Sequence, residues 1–178
     1  MKSMLKRNPI INQDISQEKL LKFLGLPDST KVYCCDKYNI PKDIGDGEIF
    51  VLRYKLNFNN TYSIRVYEKQ VNAWCSVQTH NPFGPALIIF HNNNEIHISY
   101  HIRSQMHRPF LPAFKVYNTD GTLIREYYYL QGKAHNRSGP AYRSFYEDGV
   151  GEIWHNYFYI NNEEITLDEF CKMYEERS

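Results

Sequence analysis

The chain predicts a mainly β protein in which antiparallel β-hairpins repeat and stack into a twisted sheet, with a short helix at each end. Three observations predict it. A heptapeptide recurs as His80-Asn81-Pro82-Phe83-Gly84-Pro85-Ala86, His107-Arg108-Pro109-Phe110-Leu111-Pro112-Ala113 and His135-Asn136-Arg137-Ser138-Gly139-Pro140-Ala141, with the leading histidines 27 and 28 positions apart. Each copy is followed by an apolar or aromatic run, at 87–90, 114–117 and 142–146, with the composition of a strand. Each run leads through a polar turn, at 91–94, 118–121 and 147–151, into a return strand at 96–100, 123–130 and 153–160. A fixed period of this size marks units that bury a face by stacking.

Taken in order, the elements begin with a helix. Ser16 is placed to cap residues 17–24, where Leu20, Leu21, Phe23 and Leu24 form an apolar stripe, and Gly25 with Pro27 ends it. Residues 48–56, a turn at 57–60 and residues 61–67 read as a hairpin, and 73–77 as a further strand. These lack the heptapeptide, so they are either decayed repeats or a distinct cap over one end of the stack. Within each repeat, Pro85, Pro112 and Pro140 start a strand without removing a ladder donor from its middle. Leu111 stands where the other copies have Gly84 and Gly139, so that position does not need a positive φ everywhere. A second turn, at 131–133 and 161–163, hands the chain onward. Thr166 and Glu169 have capping-box spacing before Phe170, Cys171, Met173 and Tyr174, which predicts a C-terminal helix. The organisation expected is a single domain: a cap over 1–79, three hairpin repeats over 80–165 and a helix over 166–178.

The repeats resemble the MORN-like repeats with a Gly-Pro-Ala signature found in bacteriophage and giant-virus proteins. The likeness covers roughly residues 80–165 and extends to the ending Tyr159-Ile160-Asn161-Asn162-Glu163, where Asn162 and Glu163 replace the glycine and lysine usual in that family. It implies a stacked antiparallel sheet and a viral source. The family is defined by its repeats, so it carries no catalytic residue over to this chain.

With 42% hydrophobic and 15% aromatic residues in 178, the chain can bury a sizeable core. It contains no apolar run long enough to span a bilayer, and residues 1–13 lack the apolar segment of a signal peptide, so a soluble intracellular protein is expected. Cys34, Cys35, Cys75 and Cys171 have neither metal spacing nor a disulfide framework and read as reduced thiols. A formal charge of +1 without a basic run argues against strong binding to duplex nucleic acid or an acidic membrane.

Candidate functional residues are few. His80, His107 and His135 form a row by repetition; the plain reading is that each hydrogen-bonds a neighbouring turn, and the functional one is a metal or anion site. His97 and His101, four apart on a strand, are separated by roughly 13 Å and do not chelate one ion together. No nucleophile–base constellation, phosphate loop or dinucleotide fingerprint is visible, so no catalytic residue, metal or cofactor is assigned. The tyrosines are more suggestive. Alternation sends Tyr127 and Tyr129 to one face and Tyr128 to the other, and Tyr157 and Tyr159 extend the first row. One reading makes these rings core and cross-strand ladder. The other makes Tyr127, Tyr129, Trp154, Tyr157 and Arg125, with Arg143 and Lys115 nearby, a binding surface. Such a surface suits a protein partner, or a small nucleotide stacked in a Tyr/Arg-lined cleft, and an open sheet edge would equally suit a second copy. The expected function is therefore non-enzymatic binding to a host or viral protein, with nucleotide sequestration as the alternative.

Overall fold

A computed structural model describes residues 14–35, 43–55, 61–70, 77–146 and 151–175. The turn expected at 57–60, most of the strand expected at 73–77, and residues 147–150 of the last hairpin turn lie outside them. The fold is mainly β, with a helix near each end. The strands are β1 Lys31–Cys35, β2 Ile49–Lys55, β3 Tyr62–Lys69, β4 Val77–Thr79, β5 Leu87–Phe90, β6 Glu95–Ser99, β7 His101–Ile102, β8 Gln105–Met106, β9 Phe114–Asn118, β10 Leu123–Tyr127, β11 Tyr129–Leu130, β12 Lys133–Ala134, β13 Tyr142–Phe145, β14 Ile153–Ile160 and β15 Glu163–Ile165. The helices are α1 Gln17–Leu24 and α2 Leu167–Glu175.

Eleven of these strands form one long sheet in the order β1-β2-β3-β5-β6-β9-β10-β13-β14-β15, with β4 paired beside β3. Every pairing in it is antiparallel except β1 with β2, so the segment before the repeats extends the same sheet and adds a parallel strand at its edge. The repeat hairpins are β5–β6, β9–β10 and β13–β14, as their turn and strand composition predicts. The small hairpins β7–β8 and β11–β12 stand off the main sheet and close the first two units.

The turns explain the stacking. Arg103–Ser104, Gln131–Gly132 and Asn161–Asn162 all hold positive φ at both positions, the geometry of a two-residue hairpin turn that matches strand twist. In each, the first amide donates to the imidazole Nδ1 of the histidine one repeat earlier: Arg103 to His80 at 3.2 Å, Gln131 to His107 at 3.1 Å and Asn161 to His135 at 3.2 Å. The second amide donates to the carbonyl just before or beside that histidine: Ser104 to Thr79, Gly132 to Met106 and Asn162 to Ala134. The histidine row is thus a set of turn acceptors.

The asparagine after the histidine has a matching role. Asn81 and Asn136 accept from the amide two residues on and donate to the carbonyls of Pro85 and Pro140, both at 2.8 Å. Arg108 replaces that asparagine in the middle copy and reaches Pro112 with its guanidinium instead. The glycines of the signature are not there for positive φ. Gly84 is needed because a Cβ would lie 2.3 Å from the Leu24 carbonyl oxygen, whereas at Gly139 it would meet nothing nearer than 3.8 Å.

Helix α1 is capped by Ser16 and ends at Gly25 with φ 70°, as its sequence predicts. Its Leu20, Leu21 and Leu24, with Leu26 just beyond, pack on Val51, Ile64, Val66, Ile88, Ile96, Ile98 and Tyr117, which makes this the principal core and defines one face of the sheet, the helix face. A second core on the opposite face joins Ile44, Phe50, Leu52, Tyr54, Tyr67 and Val77, again in the first half of the chain. At the far end, the capping box forms as predicted: the Thr166 amide donates to the Glu169 carboxylate at 2.7 Å and the Glu169 amide to the Thr166 hydroxyl at 3.2 Å. Phe170 of α2 then packs on Phe158 at a ring separation of 4.7 Å, again on the helix face. Over the repeats, no described helix covers the opposite, open face.

Candidate functional site

The open face of the repeats carries a ladder of aromatic rings set by strand register. Phe114, Tyr127, Tyr142 and Tyr157 are direct partners across β9, β10, β13 and β14, with ring separations of 5.3, 4.7 and 5.5 Å in turn. His97 continues the ladder at 5.4 Å from Phe114. Rings at this spacing stabilise a sheet as cross-strand neighbours, and their outer sides stay available. Burial pushes the Tyr127 phenol above its ordinary range, and the neighbouring Tyr142 adds to it. The Tyr127 phenol therefore keeps its proton at any physiological pH.

The next rung along the same face is polar. Val116, Arg125, Ser144 and His155 are partners across the same four strands, and His97 stands opposite Val116. Val116 is short, so Arg125 reaches across it to an ion pair with Glu95. Glu95 also holds His97 at 2.9 Å, and His97 in turn meets His91 at 3.1 Å. Burial pushes the Glu95 carboxyl up, but the hydrogen bond with His97 and the charge of Arg125 outweigh it and hold the group below its usual range. Burial, reinforced by the charge of His97, lowers His91. Arg125 and Glu95 thus neutralise each other.

Two recesses lie on this face and share Tyr142. One, of about 460 Å³, is bounded by Arg125, Tyr142, Ser144, Tyr146, Trp154 and His155. The other, of about 480 Å³, is bounded by Tyr127, Tyr129, Ala134, Tyr142, Tyr157 and Tyr159. Both are open troughs. The Ser144 hydroxyl and Arg125 Nε are buried without a hydrogen-bond partner among the described residues.

The five candidate residues therefore fall on one continuous face, in different settings. Tyr127 and Tyr129 are half-buried, each lining the second recess. They belong to different sheets, because the chain turns off the main sheet at Tyr128, and it is Tyr142 that joins Tyr127 to Tyr157. Trp154 is 60% exposed and Tyr157 43%. Arg125 is tied into its ion pair and acts as a floor residue. Two expected neighbours lie elsewhere: Lys115 and Arg143 flank Glu126 in the register of the adjacent rung and so point to the helix face, where Arg143 pairs with Glu126 and the Tyr128 hydroxyl. Tyr142, Ser144 and Tyr146 are not among the residues the sequence points to, because only strand pairing brings them to this face.

The histidines and cysteines complete the inventory. His101 binds Ser99 at 2.9 Å and belongs to β7, whereas His97 lies on β6 and is held by Glu95. Cys34 is exposed, Cys35 half-buried and Cys171 exposed, all of them free thiols. Among the described residues no group of three metal-ligating side chains converges, and no helix is long and apolar enough to cross a membrane. No protein-family model, curated protein or solved structure matches the chain.

Proposed function

We propose that this is a non-enzymatic binding protein that uses the open aromatic face of its repeats, and above all the end of that face at β14, to hold a protein partner. The observation that carries the reading is the continuity of the ring ladder with an exposed apolar group: Trp154, Tyr157, Ile153 and Tyr146 all remain exposed at the end of the stack, with Tyr146 and Trp154 6.2 Å apart. Tyr and Trp are the side chains that most often anchor a protein interface, since they bury a large area at small entropic cost. Contiguous exposed apolar patches of this kind mark contact sites. The Gly-Pro-Ala repeats favour a viral protein whose partner is a host or viral polypeptide.

A second reading, a small planar ligand held between Trp154 and Tyr142, draws support from the Arg125, Ser144 and His155 floor of the first recess. Native mass spectrometry of the protein recovered from the cells that make it separates the two. Co-recovery of a stoichiometric polypeptide, lost on the double substitution Trp154→Ser and Tyr142→Ser, is the expected result. A mass of a few hundred daltons released on denaturation, with no polypeptide, would overturn the protein-interface reading.

A further inference from the structure

Each strand of the repeat sheet except the last is paired along both edges. Strand β10 shows the rule: β9 lies on one side, and on the other β13 sets Tyr142 opposite Tyr127 and Ser144 opposite Arg125. Strand β14 breaks it. Its inner edge is filled by β13, but on its outer edge β15 meets only Phe158, Tyr159 and Ile160. Among the described residues nothing pairs with the outer edge of 153–157, and all five of these residues are exposed.

The direction of the free backbone groups follows from a printed bond on the inner side. Ala141 donates its amide to the Tyr157 carbonyl, so Tyr157 faces β13, and by alternation Asn156 and Phe158 face outward. Phe158 meets Ile165 there, while the amide and carbonyl of Asn156 have no strand beside them. Edge strands are ordinarily guarded by lysine, proline or inward charge. The eight residues of β14 include no Lys, Arg, Asp, Glu or Pro. An unguarded edge bordered by exposed Ile153, Trp154 and Tyr157 is a template for another strand.

The repeat also says which strand fits. The rungs of β14 copy those of β10, with Tyr157 at the place of Tyr127 and His155 at the place of Arg125. We propose that the outer edge of β14 accepts an extended segment of the partner as an added antiparallel strand, bearing an aromatic residue opposite Tyr157 and a small polar residue opposite His155. This rests on the reading of the protein as a partner-binding module and specifies how the partner is held: main-chain hydrogen bonds supply affinity, and the ring on Tyr157 supplies register.

The chain's own β13 has that pattern, so a fluorescent peptide Pro-Ala-Tyr-Arg-Ser-Phe-Tyr, the sequence of residues 140–146, is the probe. Titrated against the full chain, it is expected to give saturable anisotropy, weakened at least tenfold by Asn156→Pro. Proline is tolerated where an edge amide faces solvent, so this substitution removes the outward donor and leaves the inner ladder intact. A peptide N-methylated at alternate residues is expected not to bind the unmodified protein, which keeps the test decisive even where the proline variant fails to fold. Absence of saturation, or equal affinity for the N-methylated peptide or for a folded Asn156→Pro variant, overturns strand addition. Loss of the cellular partner on Trp154→Ser with Tyr142→Ser, but not on Asn156→Pro, would leave the binding function standing and remove only this mode. Retention of the partner by both variants would remove both.

Discussion

An imidazole that heads each repeat accepts a hydrogen bond from a turn amide, and Nδ1 can do so only while it carries no proton. Protonation therefore costs the docking of one repeat on the next. His135 also titrates below the ordinary histidine value, because burial lowers it and the charge of Arg137 adds to the shift, against an opposing contribution from its hydrogen bond with Asn161. Burial also lowers His91 and His101. A histidine whose pKa is lower folded than unfolded leaves the unfolded chain binding more protons, so stability rises with pH across the gap. The contribution is complete above about pH 7 and is lost as pH falls through the unfolded value of about 6.5 toward the folded ones. Glu95, held low, loses its contribution only in a more acidic window. The thermal midpoint is expected to be flat from pH 8 to 7 and to fall steadily toward pH 5. His135→Gln is expected to flatten that fall while lowering the midpoint at neutral pH; an unchanged slope would sink the assignment.

At the scale of elements, the local signals proved the readable ones. Ser16 and Gly25 bound α1, Thr166 and Glu169 open α2, and the left-handed turns at Gln131–Gly132 and Asn161–Asn162 carry Gly or Asn, because each depends on residues within a few positions, whereas the equivalent turn at Arg103–Ser104 carries neither and has no such mark. Long-range placement was not legible in the same way. That Tyr142 stands between Tyr127 and Tyr157, or that Arg125 crosses Val116 to Glu95, depends on which strands pair and in what register. The parallel addition of β1 likewise leaves no periodic mark. Glycine illustrates the difference: Gly84 and Gly139 hold the same place in the signature, yet only Gly84 lies under a helix. Gly84→Ala is expected to destabilise by about 1–3 kcal/mol through collision with the Leu24 carbonyl. Gly139→Ala, with room for its methyl group and no positive φ to oppose it, is expected to be neutral or to stabilise by up to about 1 kcal/mol. Chemical denaturation of the two variants checks the contrast, which equal losses would contradict.

Across the whole molecule, burial is graded along the stack. The large side chains with almost no exposure, among them Phe50, Leu20, Leu21, Leu24, Leu52, Ile64, Ile88, Val51, Val66 and Val116, all belong to α1, the first hairpin and the first two repeats. Among the described residues the last repeat has nothing comparable: its buried apolar residues there are Ala141 and Phe145, and five consecutive residues of β14 are exposed. A stacked repeat takes its stability from each unit and its neighbours, so a terminal unit covered on one side only is held by roughly half the interfaces of an internal one. Hydrogen exchange should therefore be slowest in β2, β3 and β5 and fastest in β14, β15 and α2, in a gradient rather than a single global opening. The region proposed to bind is then the region least secured by the fold itself. A strand added to β14 supplies the missing interface, and amides of β14 and β13 are expected to gain protection in its presence while those of β2 and β3 remain unchanged. Uniform protection along the chain, free and bound alike, would contradict this account, because a repeat stack stabilised evenly has no unfinished end for a partner to complete.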